Sequence, residues 1–122
     1  MPLKILTIDD DPSMTELLGL LLRSYQMEIV IANDSNVGLE LARTEKPDLI
    51  TLDLMMPGLD GWEICKSIRS FSQVPIIIIS ALDNPAAVSR ALDAGANDYL
   101  VKPVPGKTLI QRITDLARPS SK

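Results

Sequence analysis

The chain has 122 residues, of which 46% are hydrophobic and 23% are charged, and its formal net charge is −4; this is typical of one globular domain that folds without a disulfide or structural metal. The acidic balance argues against a nucleic-acid-binding surface. The chain contains no histidine and one cysteine, which excludes histidine-based metal sites, histidine-dependent catalytic triads and an internal disulfide.

Five short runs rich in isoleucine, leucine and valine predict β-strands. In chain order they lie at residues 3–8, 28–32, 48–52, 75–79 and 98–102. The first, third and fourth runs are the most uniformly apolar, as expected of strands that are buried on both faces of a sheet. The second and fifth runs contain charged residues, which favours the edges of the sheet. The longest aliphatic run, 76–79, is far too short to cross a membrane.

An amphipathic segment follows each of these runs and predicts an α-helix. The segments lie at 12–25, 36–44, 61–68, 85–95 and 106–118. Asp11 and Pro12 are typical of the N-cap and the first position of a helix, and Gly95 is typical of a helix C-terminus. Cys65, inside the third segment, is expected to be a small buried apolar residue. This alternation predicts an α/β fold with a parallel sheet and right-handed crossovers.

Polar side chains stand at the ends of four of the five predicted strands. Asp9 and Asp10 follow the first strand, Asp53 follows the third, Ser80 follows the fourth, and Lys102 ends the fifth. Strands of a parallel sheet have their carboxyl ends at one edge, which is where open α/β sheets bind their ligands. We therefore expect three carboxylates, one hydroxyl and one ammonium group to converge there.

The charges of this group predict a divalent cation. The three carboxylates carry three negative charges and Lys102 offsets one of them, so two remain to be balanced. Oxygen ligands without histidine or cysteine favour a hard cation, here Mg²⁺, which also meets phosphoryl groups. The alternative is an acidic turn that only caps a helix. It accounts for Asp11 and part of Asp10, but not for Asp53.

Four motifs along the chain carry a family resemblance: ILTIDDDPS, PDLITLDLMMPGLDGWE, VPIIIISA and GANDYLVKP. In order and spacing they resemble the landmarks of the receiver domain of two-component response regulators, the family that includes the chemotaxis regulators, over residues 4–116. The resemblance implies a doubly wound, flavodoxin-like (βα)5 fold with strand order 2-1-3-4-5. It places the receiver domain at residues 1–118 and a tail or the start of a linker at 119–122.

The resemblance also implies a role for each matching residue of the acidic group. Asp53 matches the phospho-accepting nucleophile of the family. Asp10, the Asp53 carboxylate and the backbone carbonyl of Met55 match the direct Mg²⁺ ligands. Asp9 matches a residue that acts on the metal through a bound water.

Four further residues match the remaining functional positions of the family. Ser80 matches the hydroxyl that hydrogen-bonds a phosphoryl oxygen, and Lys102 matches the ammonium group that pairs with the phosphoryl group. Pro103 matches a cis-proline. Tyr99 matches the aromatic switch residue that turns inward when the hydroxyl of Ser80 moves toward the phosphate.

By this resemblance the chain is a phosphoacceptor signalling switch and not an enzyme acting on a separate substrate, although it catalyses its own phosphorylation and dephosphorylation. Its expected partner is a sensor histidine kinase or a phosphotransfer protein, which supplies the phosphoryl group. The switch would control an output domain that follows in a longer chain, or a separate protein. We expect a cytoplasmic protein whose receiver domain binds neither nucleic acid nor membrane.

Many receiver domains of transcription factors dimerise on phosphorylation through the face made by the fourth helix, the fifth strand and the fifth helix. The resemblance implies such a dimer here, but Ala87, Asn97 and Thr108 stand where the usual salt-bridge residues lie. Asp98 and Arg112 remain from that set. We expect phosphorylation to change this face without forming the usual charge-stapled dimer.

Three other classes of protein are disfavoured. A flavodoxin-like cofactor binder needs a loop rich in serine, threonine and glycine after the first strand, where this chain has acids. A Mg²⁺-dependent phosphohydrolase with an aspartyl nucleophile needs an acid two residues after Asp53, where this chain has Met55. A degenerate receiver that serves only as an interaction module is the nearest alternative, and the presence of every acceptor-site residue argues against it.

Overall fold

The computed structural model describes residues 2–58 and 60–117. Within these ranges the strands are β1 (Lys4–Ile8), β2 (Glu28–Ala32), β3 (Leu49–Leu52), β4 (Ile76–Ser80) and β5 (Asp98–Val101). The helices are α1 (Pro12–Ser24), α2 (Ser35–Thr44), α3 (Gly61–Arg69), α4 (Pro85–Asp93) and α5 (Gly106–Ala117). The strands form one sheet in the order β2-β1-β3-β4-β5, and every neighbouring pair is parallel. The predicted doubly wound α/β fold, its strand order and its edge strands are therefore confirmed.

Alternate residues of the central strands face two separate hydrophobic layers, as the period of a β-strand requires. In β1, Ile5 packs in the layer formed with α1 and α5, whereas Leu6 and Ile8 pack in the layer formed with α2, α3 and α4. Because both faces are covered, β1, β3 and β4 are buried almost throughout, which explains their nearly continuous aliphatic sequence. Cys65 is buried in the second of these layers, as predicted.

The ends of the elements follow their predicted signals closely. Asp11 caps α1 by accepting a hydrogen bond from the backbone N of Ser13, and Pro12 is the first residue of that helix. Gly95 follows α4 with a φ of +112°, a conformation that glycine adopts without strain. β4 continues one residue beyond the prediction because Ser80 still pairs with β5. The predicted tail at 119–122 lies outside the described residues.

Candidate functional site

The carboxyl ends of β1 and β3 bring three acidic side chains together. Carboxylate oxygens of Asp9, Asp10 and Asp53 lie within 4.8 Å of one another. Lys102, which follows β5, places its Nζ 3.1 Å from Asp9 Oδ2 and 3.5 Å from Asp53 Oδ2. The four charged residues that the sequence singled out therefore lie at one edge of the sheet.

Main-chain hydrogen bonds hold the two buried acids in place. The backbone N of Asp9 donates to the carbonyl O of Ala32 at the end of β2 (3.0 Å). The backbone N of Asp53 donates to the carbonyl O of Ile8 at the end of β1 (3.0 Å). The Oδ1 of Asp9 accepts from the backbone N of Asp11 (3.0 Å), and the Oδ1 of Asp53 accepts from the backbone N of Met55 (3.2 Å). Each carboxylate thus has one oxygen held by the backbone and the other, Oδ2, directed at an ammonium group.

Gly61 sets the position of the loop that follows Asp53. A Cβ at residue 61 would lie 2.5 Å from the Cα of Leu54 and 2.7 Å from the carbonyl O of Asp53. Backbone atoms cannot yield to such a contact without moving the loop, so the first residue of α3 must be glycine for this approach. The helix therefore packs directly against the peptide that carries Asp53.

Burial and charge act in opposite directions on the titration of the site. Burial raises the pKa of the Asp53 carboxyl, which is only 6% exposed, and the charge of Asp9 adds to this; the N–H of Met55 and the ammonium group of Lys102 oppose it but do not cancel it. For Lys102, burial alone would lower the pKa, but the hydrogen bond to Asp9 and the neighbouring negative charges raise it overall. The site thus favours a charged lysine and makes ionisation of Asp53 costly.

The donor atoms of the site fit Mg²⁺. All three candidate side chains offer carboxylate oxygens, and their spread of 4.8 Å is small enough for one cation that also retains water ligands. Asp10 is exposed while Asp9 and Asp53 are buried, so a cation would reach the group from the solvent side of Asp10. Met55 follows Asp53 by two residues in the same loop, where its backbone also contacts the Asp53 carboxylate.

Ser80 and Tyr99 meet at one residue of the β4–α4 loop. The fully buried Ser80 accepts a hydrogen bond at its Oγ from the backbone N of Leu82 (3.2 Å). The hydroxyl of Tyr99 donates to the carbonyl O of the same residue (2.8 Å), and its ring packs against the layer formed with α2, α3 and α4. Burial raises the pKa of Tyr99. Both residues predicted to switch therefore hold the peptide groups of Leu82.

Two residues at the site, Leu82 and Asn33, were not predicted from the sequence. Leu82 takes part through its backbone groups, which every residue possesses. Asn33, which follows the edge strand β2, donates from its Nδ2 to the carbonyl O of Asp9 (2.8 Å) and to the Oγ1 of Thr15 (3.1 Å). A polar residue after a strand is usual in a turn, so only the placement of β2 beside β1 reveals this contact.

The face made by α4, β5 and α5 holds its remaining charged pair within the chain. Arg112 of α5 forms an ion pair with Asp98 of β5 through its Nη1. Asn97 uses its Oδ1 to accept from the backbone N of Ile76 (2.9 Å) and from the Nη2 of Arg69 (2.9 Å). These side chains are thus engaged inside the domain.

Lys102 and Pro103 complete the edge of the sheet. Lys102 donates its backbone N–H to the carbonyl O of Ser80 (2.9 Å), so it continues the ladder between β4 and β5. The peptide bond between Lys102 and Pro103 is cis. The side chain of Lys102 extends across the end of β4 to Asp53 and Asp9.

Comparison with known proteins agrees with this arrangement. The family model of the response regulator receiver domain matches residues 5–114. The transcriptional regulatory protein AfsQ1 of Streptomyces coelicolor is 41% identical over 114 residues, which cover 93% of this chain and 51% of that protein. The chain spans about half the length of the curated relatives that it matches.

Solved structures give the same result. The BeF3-activated receiver domain of Klebsiella pneumoniae RstA has a TM-score of 0.91 and 34% identity, with coverage of 95% of this chain and 99% of that chain. The Vibrio cholerae chemotaxis protein CheY4 has a TM-score of 0.89 and 28% identity, with coverage of 95% and 99%. In the part of the chain that the structure describes, no helix has the length and apolar character needed to cross a membrane. The degenerate-receiver alternative finds no support, and the chain belongs to the receiver domain family of two-component response regulators, which act as phosphoacceptor switches.

Proposed function

We propose that Asp53 is the residue that carries the phosphoryl group in this receiver domain. The observation that supports this most directly is its environment: the Asp53 carboxylate is buried, contacts the Lys102 ammonium group at 3.5 Å, and lies within 4.8 Å of two further carboxylates. A carboxylate that attacks phosphorus needs alignment and charge neutralisation more than covalent assistance. At the edge of the sheet, Asp53 is aligned by the N–H of Met55, and the ammonium group of Lys102 supplies a neutralising charge.

In the proposed reaction, one oxygen of Asp53 forms a bond to phosphorus while the bond from phosphorus to the donor nitrogen breaks, and the electron pair stays with the donor. The N–H of Met55 holds Oδ1 of Asp53 in place during the attack. Lys102 pairs with the phosphoryl oxygens, which carry most of the charge in the transition state. Asp10, Asp53 and the carbonyl of Met55 would hold Mg²⁺ directly, with Asp9 acting through water. When bound, the cation offsets the negative charge of the acids and the phosphoryl oxygens.

Ser80 and Tyr99 are proposed to convert this transfer into a change of shape. Transfer replaces a single negative charge on Asp53 with about two on the phosphoryl group. We infer that this charge attracts the Ser80 hydroxyl, which then no longer accepts from the backbone N of Leu82. The β4–α4 loop would move inward, and Tyr99, which holds the carbonyl of Leu82, would move with it.

The assignment of Asp53 is tested by phosphorylating the full chain with acetyl phosphate and Mg²⁺ and measuring its intact mass. The wild-type chain should gain the mass of one phosphoryl group, and Asp53→Asn should gain none. Asp83→Asn, an exposed acid in the β4–α4 loop, is the matched control and should be phosphorylated normally. A wild-type chain that gains no mass, or an Asp53→Asn chain that does, contradicts the proposal.

The switching role is tested with Ser80→Ala. Amide NMR spectra of the phosphorylated and unphosphorylated wild-type chain should differ in the β4–α4 loop and in α4. In Ser80→Ala these differences should shrink, because the phosphoryl group has lost the hydroxyl through which it acts. Spectra that remain as distinct as in the wild type would remove Ser80 from the switch.

The partners follow from the family and remain proposals for this chain. Receiver domains take the phosphoryl group from sensor histidine kinases, and we propose such a kinase or a phosphotransfer protein as the donor here. Because relatives such as AfsQ1 are named as transcriptional regulators and are about twice as long, we propose that an output domain follows the receiver in a longer chain. We also propose that the domain catalyses both its phosphorylation and its dephosphorylation. The cytoplasmic location stays a prediction.

We propose that the face made by α4, β5 and α5 does not form the usual dimer that is held together by intermolecular salt bridges. Asp98 and Arg112 already pair with each other inside the chain, so an intermolecular pair would first have to break that contact. Gel filtration after beryllofluoride treatment should therefore give a monomer of the isolated domain. A stable dimer that Arg112→Ala disrupts would contradict this.

A further inference from the structure

The side chain of Asn33 joins three segments beside the acidic group. Its Nδ2 donates to the carbonyl O of Asp9 (2.8 Å) and to the Oγ1 of Thr15 (3.1 Å). Both acceptors belong to buried residues, since Asp9 is 4% and Thr15 is 2% exposed. A carbonyl oxygen can only accept, so the amide nitrogen must face Asp9, and each of the two N–H groups has a partner. Asn33 therefore connects the end of β2 to the acidic turn and to the first turn of α1.

The carbonyl of Asp9 controls the direction of the next side chain. It belongs to the planar peptide group between Asp9 and Asp10, so holding this oxygen fixes the orientation of the whole plane. The carboxylate of Asp9 has its own partners, the backbone N of Asp11 and the Nζ of Lys102. The Asp10 side chain is exposed and accepts no hydrogen bond from the residues that the structure describes. Its position therefore depends on its backbone.

A cavity of about 310 Å³ beside Asp10 has room for a second orientation of the Asp10 side chain, away from the other two acids. Its wall is formed by Asp10, Asn33 and residues 34–36 and 56–58, and includes neither Asp9 nor Asp53. The volume is sufficient for a hydrated carboxylate, since one water occupies about 30 Å³. Repulsion from Asp9 and Asp53 favours movement of Asp10 toward this space whenever no cation is bound. The other acid on the cavity wall, Asp34, has its carboxylate held by the backbone N of Asn36 (2.7 Å) and of Val37 (3.0 Å), which weakens its repulsion of Asp10. The bond from Asn33 opposes that movement.

We propose that Asn33 is a positioning residue for Mg²⁺ binding, which holds the peptide between Asp9 and Asp10 so that the Asp10 carboxylate stays with Asp53 and does not turn into the adjacent cavity. The inference rests on the proposed function, because it concerns the same metal site. Asn33 itself is not a ligand in this scheme. It acts by keeping the ligand arrangement formed before the cation arrives.

The test is the Mg²⁺ dissociation constant of the full chain, measured by isothermal titration calorimetry. Asn33→Leu keeps the approximate shape of the side chain and removes both hydrogen bonds. We expect it to weaken Mg²⁺ binding about fivefold, the effect of losing the one neutral hydrogen bond that holds the carbonyl of Asp9. The matched control is Asn36→Ala, because Asn36 lines the same cavity but forms no side-chain hydrogen bond with the residues that the structure describes. It should bind Mg²⁺ as the wild type does.

A second measurement separates positioning from a general structural role. The rate of phosphorylation by acetyl phosphate at saturating Mg²⁺ should be the same in Asn33→Leu and the wild type, while the Mg²⁺ concentration for half the maximal rate should rise about fivefold. Should Asn33→Leu fail to fold, Thr15→Val replaces it, since it removes one acceptor of the same amide and should weaken binding about twofold.

The outcomes are distinguishable. Equal dissociation constants in the wild type and Asn33→Leu, with both chains binding Mg²⁺, would overturn the role of Asn33 and leave the proposed function intact. An equal loss of affinity in Asn36→Ala would also overturn it, because the effect would then belong to the cavity wall in general. A wild-type chain that binds no Mg²⁺ would instead refute the proposed metal site.

Discussion

Removal of one charge from the acidic group should stabilise the metal-free chain, and Asp53→Asn is the sharpest form of this test. Carboxylate oxygens of the three acids lie within 4.8 Å of one another, and two unit charges at that limiting separation repel by about 3.5 kcal/mol at an effective dielectric of about 20. Asp53 has two such neighbours, Asp9 and Asp10, which together cost about 7 kcal/mol. Attraction to the Nζ of Lys102, 3.5 Å from Asp53 Oδ2, offsets about 5 kcal/mol of this repulsion. The neighbouring charges therefore give the charge on Asp53 a net cost of about 2 kcal/mol, which the solvent exposure of Asp10 reduces to about 1–2 kcal/mol. Burial, the main cause of the raised Asp53 pKa, acts in the same direction.

Asparagine removes this cost while it keeps an oxygen that can accept from the backbone N of Met55. Urea unfolding in the presence of EDTA at neutral pH should therefore give Asp53→Asn a free energy of unfolding about 1–2 kcal/mol above that of the wild type. The thermal midpoint should rise by about 5–10 °C. Saturating Mg²⁺ should remove or reverse this advantage, because ligand binding stabilises only a folded chain that has its full set of ligands.

The matched control for this experiment is Asp115→Asn, an exposed acid on α5 far along the chain from the site. It should change the free energy of unfolding by less than about 0.5 kcal/mol. An Asp53→Asn chain that is less stable than the wild type without metal would refute the reasoning. It would mean that the attraction to Lys102 outweighs the repulsion among the acids.

Three further predictions concern pH and two contacts. The pKa of Asp53 in the folded chain lies above its unfolded value of 3.8. At pH values between the unfolded and the folded pKa, the folded chain therefore binds more protons than the unfolded chain. The free energy of unfolding of the metal-free chain should thus fall as the pH rises from the unfolded to the folded pKa. Urea unfolding between about pH 4 and about pH 7 should show this fall in the wild type and less of it in Asp53→Asn. Arg69→Met removes the bond from Nε to the carbonyl O of Gly95 (3.0 Å) and should cost about 1–3 kcal/mol in urea unfolding, whereas a cost below about 0.5 kcal/mol would contradict its role. Tyr99→Phe removes the bond to Leu82 and should lower the free energy of unfolding by about 1 kcal/mol, measured by circular dichroism; no change would show that water replaces the contact.

The fold and the acidic group could be predicted because both depend on patterns that the sequence states directly. A strand buried on both faces is a nearly continuous aliphatic run, as Ile76–Ser80 shows, and the alternation of such runs with amphipathic helices leaves few arrangements of the sheet. Parallel strands then place the residues after β1 and β3 at one edge. The error at the end of β4 arose because Ser80 is polar and yet pairs within the sheet.

Contacts between segments that are distant in sequence could not be predicted in the same way. The amide of Asn33 reaches Asp9 only because β2 lies beside β1 with Ala32 opposite Ile8. Similarly, the guanidinium group of Arg90 on α4 lies 4.0 Å from the ring centre of Trp62 on α3. In the sequence alone, Asn33 and Arg90 are ordinary exposed residues of a turn and a helix, and Trp62 is an ordinary half-buried residue of a helix.

The position of Leu82 explains how a change of charge at Asp53 could reach α4. The peptide groups of Leu82 are held by Ser80 on the side of the acceptor site and by Tyr99 on the side of β5. The helix beyond it is held at its far end, where Arg69 binds the carbonyl of Gly95. A segment fixed at one end and tethered at the other by two neutral hydrogen bonds can change position for a few kcal/mol, since each such bond contributes only about 1 kcal/mol net. In the switch that we propose, the phosphoryl charge on Asp53 would act directly on the bond from Leu82 to Ser80, and loss of that one bond would be enough to shift the balance.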